Sequence, residues 1–151
     1  MEENEYKDAY NQITQVVCVF EKALTNNLCK CSYAKHFCLA DREGYACKSK
    51  QASDKCAELM QHLRENARFS LKLHSIGSQL PHNMEIRVQA GGLTGLQKLY
   101  GEADPCYISG NIRELVECAV TQVGNLDALP YNEIIKSIAE YKVRSRRKSN
   151  K

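Results

Sequence analysis

The chain lacks any apolar run approaching the roughly 18 to 20 residues that a bilayer-spanning helix requires, so no such helix is expected. It also lacks the opening of a secretory signal, which is a basic start followed by an apolar core. Its first ten residues, MEENEYKDAY, are acidic and polar, and they read as those of a cytoplasmic protein. It has no low-complexity linker and no internal repeat, so nothing marks a domain boundary. A phosphate loop is missing too: QAGGLTGLQ (89–97) does not have the GxxxxGK[ST] spacing, and Lys98 is wrongly placed for it. No Ser/His/Asp or Cys/His catalytic set emerges from the spacing, which favours a non-enzymatic protein.

What is present fits one globular domain. The chain has 151 residues, of which 43% are hydrophobic and 26% charged, enough to bury a sizeable core. The charge is uneven. The last ten residues, KVRSRRKSNK, hold six Lys or Arg and no acid; removing that +6 from the overall +3 leaves −3 on residues 1–141. Residues 1–141 are therefore read as a helical domain and 142–151 as a basic, disordered tail. Arg144, Arg146, Arg147 and Lys148 are its candidate contacts with nucleic acid or an acidic partner.

Hydrophobic periodicity predicts helices along most of the chain. Tyr6, Tyr10, Ile13, Val17, Phe20 and Leu24 recur at three- and four-residue steps, predicting one amphipathic helix over 5–27. A short helix is expected over 32–40 and a turn over 41–44. A second long helix should start near Ser53, carry Cys56, Leu59, Met60, Leu63, Ala67 and Leu71 as its stripe, and end before Gly77. Residues 84–100 carry both periodicities. Helix is preferred there, although Gly91, Gly92 and Gly95 count against it by up to about 1 kcal/mol each. Asn111 should cap a helix ending at Gly124, and a last helix should follow Pro130. The expected fold is a mostly α, single-domain bundle of about four to five helices with an irregular Cys-rich insert after the first helix.

The insert carries the chemistry. Five of the eight cysteines, Cys29, Cys31, Cys38, Cys47 and Cys56, fall within residues 29–56. Four of these lie nine residues apart. On one continuous helix, consecutive members would face opposite ways and sit about 13.5 Å apart, so only loops can gather the sulfurs. In a reducing compartment such a group is more often a metal or redox site than a set of bridges. Structural zinc sites usually use C-x2–4-C pairs, and the segment has none. An iron–sulfur cube is larger than one ion and suits ligands from separated loops. A 4Fe–4S cluster is therefore preferred, with zinc the alternative, held by Cys31, Cys38, Cys47 and Cys56 or by Cys29 with the last three. His36 is a candidate substitute ligand, and Lys48, Lys50 and Lys55 offset thiolate charge. Cys56 is expected in a first helical turn, where the dipole favours a thiolate. Cys18 and Cys118 read as core, and Cys106 as a free thiol or distant ligand. The implied role is redox sensing or electron transfer with a redox or regulatory protein partner; the alternative is a helical interaction module with a structural zinc or structural cysteines, its basic tail contacting an acidic partner or nucleic acid.

Overall fold

The first amphipathic stretch does not run through as one helix. In the computed structural model, which describes residues 2–71, 81–101 and 111–142 (the side chains of 69–71 excepted), α1 covers Glu3–Ile13 and α2 covers Glu21–Thr25. Thr14 closes α1 by donating both its amide and its hydroxyl to the Tyr10 carbonyl, at 2.8 and 2.7 Å. Beyond it Val16, Val17 and Val19 are β-branched and favour extended backbone. They find a sideways partner: Val17 bridges Ala46 in antiparallel fashion, and the Cys47 amide donates to the Val16 carbonyl at 2.9 Å. Cys18 therefore sits on an extended link rather than on a helix face.

The helix expected over 32–40 is also replaced. Strand β1 (Ala34–Leu39) pairs antiparallel with β2 (Arg42–Cys47), from Ala34 opposite Cys47 to Leu39 opposite Arg42. The turn is two residues long, Ala40 and Asp41, with φ of 50° and 71°. That mirror-image geometry matches the right-handed twist of paired strands. Gly44 serves packing rather than turning. A Cβ there would lie 2.5 Å from Phe37 Cζ and 2.7 Å from Glu21 Oε2, so the bare backbone lets the Phe37 ring cross it.

Helix α3 (Lys50–Leu71) begins earlier than expected because Ser49, not Ser53, caps it: Ser49 Oγ accepts the Ala52 amide at 3.1 Å. The end of this helix near Gly77 lies outside the described residues. Residues 84–100 are helical, within α4 (His82–Tyr100). Their glycines mark helix crossings. A Cβ on Gly91 would meet Ile138 Cα at 2.7 Å, one on Gly95 would meet Ile134 Cα at 3.0 Å, and one on Gly92 would meet Leu63 Cδ1 at 2.7 Å. Helix α5 (Ile112–Val123) is capped by Asn111, whose Oδ1 accepts the Arg113 amide at 3.1 Å, and stops at Gly124 with φ 107°. A 3-10 turn at Leu126–Ala128 leads through Pro130 into α6 (Tyr131–Glu140).

Among the described residues the fold is mostly helical, with six α-helices and a two-stranded sheet, not a pure bundle. Leu59 and Leu63 of α3, Leu93 and Leu96 of α4, and Ile134 and Ile138 of α6 are fully buried. Each such side chain contributes about 1.5–3 kcal/mol. A buried polar bridge ties α2 to this core: Gln89 accepts the Ala23 amide at 3.0 Å and donates to Glu85 at 2.8 Å. Glu85 in turn receives Arg64 Nη2 at 2.6 Å. The β1–β2 hairpin packs on α2 and α3, which brings the cysteine segment back onto the helical core.

Candidate thiol site

Four cysteines, nine to sixteen residues apart in sequence, meet around one cavity. The Cys18 segment is drawn to the start of α3 by Ser53, whose Oγ donates to the Val17 carbonyl at 2.7 Å. The Cys31 segment is fastened to α5: Lys30 bridges Asn111, the Ile112 amide donates to the Lys30 carbonyl at 2.8 Å, and Asn111 Oδ1 accepts the Ser32 amide at 3.2 Å. Cys47 ends β2, and its thiol donates to the Ser49 carbonyl at 3.2 Å. Cys56 is the seventh residue of α3, in its second turn rather than its first. The first-turn amides expected to favour its thiolate are therefore one turn away.

Cys18, Cys31, Cys47 and Cys56 all line this cavity, with Tyr33 and Arg113. The cavity is small, about 30 Å³, roughly twice what one ordered water needs. Four sulfurs each about 2.3 Å from one zinc would lie about 3.8 Å apart. Among the described residues the one set of three metal-capable side chains with ligand atoms all within 4.8 Å of one another is Glu58, His62 and Asp127. No three of the cavity's sulfurs are that close, so their arrangement is wider than a zinc tetrahedron.

Burial favours the neutral thiol at Cys18 and Cys56 in the cavity and at Cys29 beside it. Burial pushes the thiols of Cys18, Cys29 and Cys56 up to about 12, because a thiolate there would lose its hydration. Neighbouring cysteines push the same way: Cys31 and Cys47 act on both Cys18 and Cys56. The Phe20 backbone opposes the shift at Cys18 and Lys55 at Cys56. A thiolate set there requires compensating positive charge, which a metal supplies as it displaces the protons.

The remaining candidates lie elsewhere. Cys29 is 7% exposed and neighbours Cys18 and Cys31, but it is not among the residues lining the cavity. Cys38 is exposed on β1 and also outside the lining. His36 faces Glu43, 3.3 Å away on the hairpin surface. Cys118 points its thiol at the Tyr100 carbonyl at 3.6 Å. Among the described residues no cysteine is in a disulfide. Cys106 and the tail residues Arg144, Arg146, Arg147 and Lys148 lie outside the described residues.

Sequence reasoning passed over Cys18, which it placed on a helix face. The run of β-branched residues around it was the available signal that this segment is extended. His62 lies 2.8 Å from Asp127 and stacks on Tyr131, so the Glu58–His62–Asp127 group is accounted for as a polar contact at the surface. Among the described residues, no helix is long and apolar enough to cross a membrane. Compared with known protein families, curated proteins and solved structures, the chain matches none of them.

Proposed function

We propose that this is a cytoplasmic iron–sulfur protein in which Cys18, Cys31, Cys47 and Cys56 hold a 4Fe–4S cluster used for redox sensing or electron transfer. One observation carries the reading: the thiols of a link, a loop, a strand end and a helix line a single cavity. Two features favour a cluster over a single zinc ion. The sulfurs stand wider apart than one tetrahedral ion requires, and no two of these four cysteines form the close sequence pair typical of zinc sites. The wall around the sulfurs is largely apolar and includes the buried Phe20 and Ile112. Val17, also in that wall, is 52% exposed. The cavity thus lies just under the surface, within short reach of a docked redox or regulatory protein. Anaerobic purification should yield a brown protein containing iron and acid-labile sulfide. A colourless, iron-free protein under those conditions sinks the proposal, and equimolar zinc would put a structural zinc in the same cavity.

A further inference from the structure

Building on the iron–sulfur reading, we propose that Arg113 tunes the reduction potential of the four-thiol site, offering its Nε–H to a sulfur there. Arg113 is the second residue of α5 and the one Lys or Arg among the described residues lining the cavity. Its guanidinium is held by a ring on one face and a carboxylate at one end. The Cζ lies 4.4 Å over the Tyr33 ring, and Nη2 meets Glu117 Oε2 at 3.4 Å. The Nε is buried with no hydrogen-bond partner. A buried N–H without an acceptor costs about 1–3 kcal/mol, and sulfur ligands in the adjoining cavity are the acceptors it lacks.

The consequence follows from charge. A 4Fe–4S centre with four thiolates is anionic, and one electron taken from a protein partner adds a further negative charge. A fixed cation and an N–H donor beside the sulfurs stabilise the reduced form more than the oxidised one. Hydrogen bonds to cluster sulfurs and local charge are the protein's known means of setting such potentials. The N-terminal end of α5, carrying the positive end of the helix dipole, acts in the same direction. Tyr33 and Glu117 hold the guanidinium in place, so the donor is fixed before any cluster binds.

The test compares anaerobically purified wild type, Arg113→Met, Arg113→Lys and the control Glu117→Gln for iron content, and then for midpoint potential by dye-mediated titration. Arg113→Met, which removes charge and donor, should keep its iron and shift the midpoint to a more negative potential. Arg113→Lys, which keeps the charge but loses the planar donor, should shift it less in the same direction. Should the Met variant fail to load iron, the Lys variant still decides the matter. An Arg113 variant with wild-type iron and an unchanged midpoint overturns the role of Arg113 while leaving the cluster standing. An iron-free wild type overturns the cluster reading itself, and this proposal with it. A merely structural Arg113 would change unfolding stability and leave the potential where it was.

Discussion

A buried thiol keeps its proton until something positively charged displaces it, and three thiols in and beside this cavity are of that kind. In metal-free protein Cys18, Cys29 and Cys56 hold their protons to about pH 12, against about 8.5 for a cysteine in an unfolded chain. The folded state binds these protons more tightly. Their contribution is thus fully present below pH about 8.5 and is lost as pH rises towards 12. Each thiol steepens that loss by about 1.4 kcal/mol per pH unit. Denaturant titrations of metal-free protein should show falling stability above pH about 9, less steeply for Cys29→Ala than for wild type; equal slopes would contradict the assignment. Exposure makes a second forecast. Cys38 should be alkylated first and Cys29 last among the described cysteines, read by peptide mass mapping at successive times.

At the scale of elements, two turns of sequence logic can be tested directly. Gly91 and Gly95 make α4 a helix that packs closely on α6, so the glycines that argued against a helix are there for the crossing. Gly91→Ala gains up to about 1 kcal/mol of helix propensity. It forces a Cβ against the Ile138 backbone, however, and should be destabilising overall by about 1–3 kcal/mol in chemical denaturation. At the hairpin, Ala40 and Asp41 occupy left-handed backbone that suits Asn-Gly better. Replacing both with Asn-Gly should stabilise the protein by about 1 kcal/mol, and a loss would show that the turn differs. The later helices were legible because Asn111, Gly124 and Pro130 announce them locally. The region before α3 was not. Tyr6, Tyr10, Ile13 and Val17 keep a helical period, yet the backbone is decided by Thr14 capping α1 and by Val17 pairing with Ala46, a contact set by chain folding rather than local pattern. Residues 34–39 form a strand for the same reason: their partner lies across the turn.

Over the whole molecule, the helical core acts as the frame that holds four cysteine-bearing segments at one cavity. Residues 29–56 supply three of the four thiols, and their sequence showed that a folded-back segment was needed. It could not show that Cys38 turns outward on a strand while Cys18 arrives from before α2, since both depend on register and long-range pairing. The pairing makes a sharp forecast, because two cysteines of one chain should behave oppositely. The most direct test is iron per chain, by elemental analysis after anaerobic purification, in wild type, Cys18→Ser and Cys38→Ser. The account predicts about four iron in wild type and Cys38→Ser, with most of it lost in Cys18→Ser. Iron retained in Cys18→Ser and lost in Cys38→Ser would contradict it.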